Sequence, residues 1–323
     1  MRQYLVVTTF LAGAALLAGC GGAATLGAPG AQGAAATRVA ASWMAPESKS
    51  QDLLYVSDND GVVDVLAYPA LKVVGQLTGF SGPAGLCSDS KGDVYITDTQ
   101  SEHIYEYKHG GKTPIATIND FGFYPEGCSV DPTTGNLAVA NYNGLQASAG
   151  SVAIYTNPSG PPTGYVDNDF FLYFFCSYDA KGNLYVDGVN NGTTASELGI
   201  LKKGGSTLNT IVVDKTIVYP GAVQWDGKDV AIEDVSDDVL YRVKVSGLSG
   251  KVVGTTTFKG PRADELQQFW LQGKTLVMPY GTSTRQMHKI GLWAYPAGGS
   301  PTADLTVPGS VELLGVTVSA ASK

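Results

Sequence analysis

Charged side chains are scarce in this sequence, and basic ones are scarcer than acidic ones. Only 15% of the 323 residues are charged, and 21 Lys and Arg stand against 29 Asp and Glu, for a formal net charge of −8. Such a chain repels phosphate backbones, so its composition argues against a nucleic-acid partner.

Cysteine and histidine are also few, at four and three residues. Four Cys are too few to build a disulfide scaffold at this length. The sequence contains no Cys/His spacing typical of a zinc site, no nucleophile elbow and no Gly-rich phosphate loop that opens a helix. The sequence motifs therefore do not indicate a particular enzymatic reaction.

Amphipathic helical periodicity is absent as well, because no long stretch has apolar residues at a spacing of 3.6. What the chain has instead is 44% hydrophobic residues, 10% aromatic residues, 41 Gly and 16 Pro. This composition has enough apolar material for a large core and many turn residues, so it predicts an ordered domain rather than a disordered chain.

The N-terminus begins MRQYLVVTTFLAGAALLAGC, with Arg2 as the only charge before an apolar run. The run is short for a membrane span and ends in small residues, as secretory signals do. Its last residues, Leu17-Ala18-Gly19-Cys20, resemble the bacterial lipobox, in which the Cys thiol is diacylated after cleavage just before it. The resemblance implies a lipoprotein signal peptide over residues 1–19 and lipid attachment at Cys20. A plain signal peptide with an incidental Cys is the alternative.

The next segment, residues 20–51, starts as an Ala/Gly-rich and nearly uncharged stretch that predicts a flexible tether. Acyl chains on Cys20 would hold the following domain at a membrane surface through buried methylenes. Gly21, rather than Asp, after the Cys is similar to an outer-membrane sorting signal. We therefore expect a lipid-anchored, extracytoplasmic protein of the bacterial cell envelope, at the outer membrane if the organism has one.

A turn followed by a strand recurs through residues 52–319. It reads DSKGDVYITD from Asp89, DPTTGNLAVAN from Asp131 and DAKGNLYVD from Asp179, with weaker copies from Asp226 and Gln272. The predicted strands start at residues 54, 94, 137, 184, 230 and 276, which are 40 to 47 residues apart. Periods of this length with several short strands each are typical of propeller blades.

The strand count predicts an all-β fold, a six-bladed β-propeller of four-stranded blades a to d. The first unit supplies only three strands (residues 54–77), and the C-terminus supplies a lone strand from Leu314 to Val318. We expect this C-terminal strand to join the N-terminal strands and close the ring, because closure satisfies backbone groups that an open sheet edge leaves unpaired.

The run Gly82-Pro-Ala-Gly85, followed by the repeat from Asp89 to Asp98, resembles the NHL repeat and gluconolactonase-like propellers. That resemblance implies a divalent cation, Ca²⁺ or another, held near the axis, with Glu126, Asn141, Asp187 and Asp234 as candidate ligands. Asp58, Asp98, Asn141 and Asp234, however, share one repeat position, which favours a structural role in capping the turn between strands b and c. Glu126 lies outside that repeat.

Aromatic residues are frequent in the connections between strands b and c and between strands d and a. Strand alternation predicts that these loops share one face, and Tyr124, Tyr142, Phe171 and Tyr280 are the candidate binding residues there. Packing between blades is the alternative role for these side chains.

Cys87, Cys128 and Cys176 each lie in a predicted strand a. Cys87 is two residues before its turn Asp, whereas Cys128 and Cys176 are three before theirs, so Cys87 points to the opposite face of its blade. Cys87 and Cys128 belong to successive blades and are the candidate disulfide pair, with three free thiols as the alternative.

These observations predict a lipid-anchored binding protein. Its expected partners are the membrane, through the lipid, and a protein, peptide or carbohydrate on the axial face. Two alternatives stay open, a metal-dependent hydrolase or lactonase that uses Glu126, and a structural scaffold in an envelope complex.

Overall fold

A computed structural model describes residues 41–144, 149–156, 160–191, 195–259, 267–281 and 287–321. The predicted signal peptide, the lipid-attachment residue Cys20 and most of the predicted tether lie outside these residues. Within them the protein is an all-β structure with two short 3-10 helices, Pro46–Ser50 and Thr99–Ser101. None of the described residues forms a helix that is long and apolar enough to cross a membrane.

The strands form antiparallel meanders. The first meander has β1 (Trp43–Met44), β2 (Leu53–Asp58), β3 (Val62–Ala67) and β4 (Lys72–Thr78), and the second has β5 (Pro83–Ser88), β6 (Val94–Asp98), β7 (His103–Tyr107) and β8 (Pro114–Asn119). The third has β9 (Phe123–Val130), β10 (Leu137–Gly144), β11 (Ser151–Tyr155) and β12 (Thr163–Tyr165), and the fourth has β13 (Phe170–Tyr178), β14 (Leu184–Asn190), β15 (Ser196–Leu201) and β16 (Leu208–Val213). The fifth has β17 (Pro220–Trp225), β18 (Val230–Asp234), β19 (Val239–Ser246) and β20 (Ser249–Thr257). The remaining strands are β21 (Trp270–Gln272), β22 (Thr275–Tyr280), β23 (Lys289–Ala294), β24 (Ala303–Thr306) and β25 (Leu313–Ser319).

The sheets are arranged like a propeller, with β5, β9, β13, β17, β21 and β25 innermost; we call these the axial strands. β25 contacts β5, β5 contacts β9, and β13 contacts both β9 and β17. A hydrogen bond from Leu271 N to Gln224 Oε1 (2.6 Å) links β21 to β17, and one from Gln268 N to Leu314 O (3.0 Å) leads back to β25. The axial strands therefore follow one another around a closed ring.

The C-terminal strand closes the ring as the sequence predicts. β25 pairs antiparallel with β2, with Leu54 opposite Val318 and Val56 opposite Val316. Val316 is completely buried and Val318 nearly so, in a cluster shared with residues of the last meander. The two ends of the described domain therefore share one sheet and one part of the core.

The expectation of six separate four-stranded sheets is wrong at the level of hydrogen bonding. Within the described residues there are five sheets, one of five strands, one of eight and three of four. The eight-stranded sheet forms because β16 and β20 pair in parallel at their edges, with Val212 opposite Ser249 and Val213 opposite Gly250. Gly250 permits this approach, since a Cβ there would press on Val243 and Ile211.

The folded domain also begins earlier than predicted. Residues 43–50, assigned to the tether, form β1 and a 3-10 helix. β1 pairs with β4, so that it covers the edge of the first sheet, and Met44 packs into the adjoining core. Unpaired groups at a sheet edge attract another strand, and the Ala/Gly-rich composition has already ended by Trp43.

The repeated turns form as their sequence predicts. Asp89 Oδ1 accepts hydrogen bonds from Lys91 N and Asp93 N, and Gly92 then takes a φ of 83°, which favours glycine. The same arrangement recurs at Asp179 and Gly182. These turns connect each axial strand to the next strand of its meander.

Candidate functional site

The three acidic residues predicted to hold a metal, Glu126, Asp187 and Asp234, do not form a cluster. No group of three or more His, Cys, Asp or Glu among the described residues is placed to hold a metal ion. Asn141, Asp187 and Asp234 are completely buried and each accepts or donates hydrogen bonds locally. The donor set expected from gluconolactonase-like propellers therefore does not fit this structure.

The repeated Asp at the end of the second strand has a structural role, but its partner differs from the one expected. Its carboxylate accepts backbone N–H groups of the loop that enters the axial strand, rather than capping its own turn. Asp98 accepts from Gly82 N (2.6 Å), Asp58 from Glu312 N (2.9 Å), and Asp234 from Val218 N (3.0 Å) and Tyr219 N (3.4 Å). Each Asp thereby fixes the start of an axial strand.

Asn141 occupies the same repeat position and is also structural. Its side-chain amide donates to Ser151 Oγ (3.5 Å) and also bonds Asp120. The Tyr155 hydroxyl donates to Asp120 Oδ1 (2.6 Å), and burial raises the pKa of Asp120. These four residues form a buried polar network.

Asp187 lies one residue earlier in its strand than the repeated Asp. Its Oδ1 accepts a hydrogen bond from Phe175 N (2.7 Å). Burial holds the pKa of Asp187 well above its usual range, and the negative charge of nearby Glu233 acts in the same direction. Asp187 therefore favours its neutral form and anchors β13.

Glu126 is the one predicted ligand whose carboxyl remains accessible. The backbone around it is fixed, because Thr97 Oγ1 donates to Glu126 O (2.7 Å) and Thr99 Oγ1 donates to Pro125 O (2.7 Å). A Cβ on Gly85 would clash with the Glu126 carbonyl oxygen, so this glycine allows β5 to approach. The side chain is half-buried, and its carboxyl makes no hydrogen bond with the described residues.

Burial raises the pKa of Glu126 to about 7. Partial solvent access together with a strongly raised pKa describes a side chain that lies in a recess walled by protein. Burial raises the pKa of the Tyr142 and Tyr219 phenols, and the negative charge of Glu126 raises both further. An acid with this pKa changes its charge between pH 6 and 8.

Three aromatic rings accompany Glu126. Tyr142 stacks on Phe174 with ring centroids 5.5 Å apart, and Tyr219 packs at a tilt on Phe174 at 6.3 Å. Phe174 is completely buried, whereas Tyr142 is half-buried and Tyr219 is 36% exposed. We call Glu126, Tyr142, Phe174 and Tyr219 the axial cup.

The predicted aromatic binding residues separate into different environments. Tyr142 belongs to the axial cup, Phe171 is exposed on the surface, and Tyr124 is half-buried. Tyr280 is buried, packs edge-on against Trp293 (5.3 Å) and donates to Asp304 Oδ2 (2.5 Å) on an outer strand. Its role is packing, which corrects the prediction for that residue.

Two residues of the axial cup, Phe174 and Tyr219, were not among the predicted site residues. Phe174 was detectable, because it stands five residues before the turn residue Asp179, as Glu126 stands five before Asp131. Tyr219 lies in the loop before β17, which is held by hydrogen bonds to Asp234 and Val235. Its place depends on tertiary contacts.

Cys87 and Cys128 form a disulfide between β5 and β9, with Cα atoms 5.6 Å apart, and Cys176 is a buried free thiol. In β9 and β13, the residue two positions before the turn Asp is a Ser whose side chain joins the strand to the next axial strand. Ser129 Oγ accepts from Tyr178 N (3.1 Å) and Ser177 Oγ accepts from Trp225 N (2.9 Å). Cys87 stands at this same position, so a covalent bond replaces the hydrogen bond there.

No protein-family model matches the chain, and no curated protein matches it. Solved structures do resemble it in fold. A chain from the crystal structure of a nidogen/laminin complex superposes with a TM-score of 0.65 at 14% identity, over 84% of this chain and 100% of that one. A Bacteroides caccae protein of unknown function gives a TM-score of 0.61 at 12% identity, over 83% and 99%. At these identities the similarity establishes a propeller-like fold alone.

Proposed function

We propose that this protein is a lipid-anchored, extracytoplasmic binding protein whose axial cup receives a cationic group of a peptide or protein. The observation that carries the proposal is Glu126, an accessible carboxyl without a hydrogen-bond partner among the described residues, beside the rings of Tyr142 and Tyr219. A carboxylate attracts an ammonium or guanidinium group, and aromatic faces add cation–π attraction.

The architecture agrees with this proposal. We further propose that β13–β16 and β17–β20 act as separate blades of the eight-stranded sheet, so that the propeller has six blades as the resemblance to NHL and gluconolactonase-like propellers implies. A chain of similar fold comes from a nidogen/laminin complex, which supports a protein as the class of partner proposed for this chain. A metal-dependent hydrolase receives no comparable support from the described residues.

Lipid anchoring predicts a simple fractionation result. Changing Cys20→Ser should move the protein from the membrane fraction to the soluble fraction, because a single thioether would carry the acyl chains. Immunoblots of fractionated cells measure this, and Cys176→Ser is the matched control, since that thiol is buried. A Cys20→Ser protein that still sediments with membranes contradicts the lipobox interpretation.

Binding in the axial cup should depend on pH. A capped pentapeptide with a central Lys should bind the full chain about tenfold more weakly at pH 6 than at pH 8, because Glu126, with a pKa of about 7, is mostly protonated at the lower pH. Calorimetric titration at the two pH values measures this.

Three controls accompany that titration. The same peptide with Nε-acetyl-Lys should not bind, and neither should the Lys peptide bind Glu126→Gln, which is nearly isosteric but uncharged. Glu47→Gln, at an exposed glutamate of the 3-10 helix, should behave as wild type. Binding that is equal at both pH values, or that survives Glu126→Gln, contradicts the proposal.

A further inference from the structure

A second recess lies toward the opposite end of the axial strands. In β9 it begins at Cys128, two residues past Glu126, and it extends to Pro132 in the following turn. Its volume is about 200 Å³, and five successive axial strands from β5 to the residues around β21 contribute to its wall. We call it the turn-side cavity.

The wall of the turn-side cavity is aromatic and polar but uncharged. Tyr178, Trp225 and Trp270 line it, and all three are half-buried. None of the described residues that line it is Asp, Glu, Lys, Arg or His. An uncharged enclosure of this kind disfavours a charged ligand, because a desolvated charge would find no partner there.

The polar groups of the wall offer donors. The oxygens of Ser129, Ser177 and Gln224 already accept the backbone N–H groups of Tyr178, Trp225 and Leu271, respectively. The hydroxyl protons of Ser129 and Ser177 and the amide protons of Gln224 remain available, because they have no acceptor among the described residues. The cavity therefore suits a ligand rich in acceptor oxygens.

The wall is also preorganised. Trp225 stacks almost parallel to Tyr185, with centroids 6.0 Å apart, and Trp270 Nε1 donates to Gln272 Oε1 (3.3 Å). The disulfide Cys87–Cys128 fixes another part of the wall. Rings that are already held in place bind a ligand without a further loss of side-chain entropy.

We propose that the turn-side cavity is a binding site for one neutral sugar residue. Aromatic faces beside hydroxyl and amide donors complement the C–H faces and oxygens of a pyranose ring. The volume is below the roughly 300–1,000 Å³ of pockets for drug-sized ligands and suits a single ring. This site is separate from the axial cup and does not depend on the function proposed for it.

The test is binding of glucose, galactose, mannose and N-acetylglucosamine to the full chain, purified in a detergent without a sugar headgroup. Tryptophan fluorescence is a suitable readout, because two of the four Trp residues line the cavity. Saturation-transfer NMR identifies the bound sugar independently. We expect saturable binding of at least one of these sugars, and at least about tenfold weaker binding of glucuronate and glucosamine.

Two substitutions place the binding in this cavity. Gln224→Glu keeps the acceptor for Leu271 N but replaces the amide donors with a charge, and it should weaken binding at least about tenfold. The matched control is Gln100→Glu, which makes the same change at an exposed position outside the cavity and should bind as wild type.

Val130→Trp should fill the cavity and abolish binding. The blade accepts an aromatic ring at this position, because Tyr178 and Trp225 occupy the same place, one residue before the turn, in the next two meanders. Three results would overturn the proposal. The first is the absence of a saturable response up to about 50 mM sugar, which is beyond the millimolar range of weak specific binding. The second is binding of glucuronate as tight as that of the neutral sugars, and the third is sugar binding that survives Val130→Trp.

Discussion

A chain that ends at Glu312 should fail to fold. This truncation removes β25, and with it the ladder to β2 and three buried side chains, Leu313, Val316 and Val318. Each such side chain contributes about 1.5–3 kcal/mol, so about 5–9 kcal/mol is lost before any hydrogen bond is counted. A domain typically has a total stability of about 5–15 kcal/mol.

The axial contacts of β25 add to this loss. Gly315 N donates to Ser57 Oγ of β2 (2.7 Å) and Val316 N donates to Gln268 Oε1 (3.2 Å), so the truncation also removes these two buried hydrogen bonds. Far-ultraviolet circular dichroism and calorimetry should show no cooperative unfolding transition.

A point substitution separates this effect from a general intolerance of change. Val316→Asp buries an unpaired carboxylate and should act like the truncation, whereas Val253→Asp places the same residue at a position that is 44% exposed and should be almost neutral. An unchanged melting temperature in the truncated chain would show that the ring does not need β25.

Removing the disulfide should have the second largest effect. Cys87 and Cys128 are 41 residues apart, and closing a loop of this length stabilises a protein by about 3–4 kcal/mol in the chain-entropy description. The double variant Cys87→Ala/Cys128→Ala should melt roughly 5–10 °C below wild type. Cys176→Ala, which removes the free buried thiol, should cost much less.

Reduction provides an independent check on the same bond. A phosphine reductant should lower the melting temperature of wild type and of Cys176→Ala but leave the double variant unchanged. Among Cys87, Cys128 and Cys176, thiol titration of denatured, unreduced protein should find one free thiol, from Cys176. Three free thiols, or a double variant as stable as wild type, would contradict the bond.

The candidate sites were only partly predictable. Glu126 stood out because it departs from the repeat, and its raised pKa and its two phenol neighbours support that choice. Tyr280 was misassigned, because its sequence position beside a loop says nothing about Asp304, the outer-strand partner of its hydroxyl. The resemblance to gluconolactonase-like propellers predicts Asp187 and Asp234 as metal ligands, whereas in the structure each carboxylate accepts a hydrogen bond from a backbone N–H group.

The sequence by itself determined the all-β class, the repeated turns, the pairing of the C-terminal strand with the first long strand, and the strand faces of Cys87 and Cys128. These features rest on short-range chemistry, such as Asp89 with Gly92 in one turn, and on the two-residue alternation of strands.

Only the tertiary structure decided the rest: the edge pairing that extends the domain back to Trp43, the fusion of β16 with β20, the axial cup and the turn-side cavity. These features depend on how far apart neighbouring meanders lie and on irregularities in strand register. The shift between Ala140 and Asn141 is one such irregularity. A repeat specifies the conformation of each unit, whereas the recesses between units arise from side chains of several units that meet only around the axis.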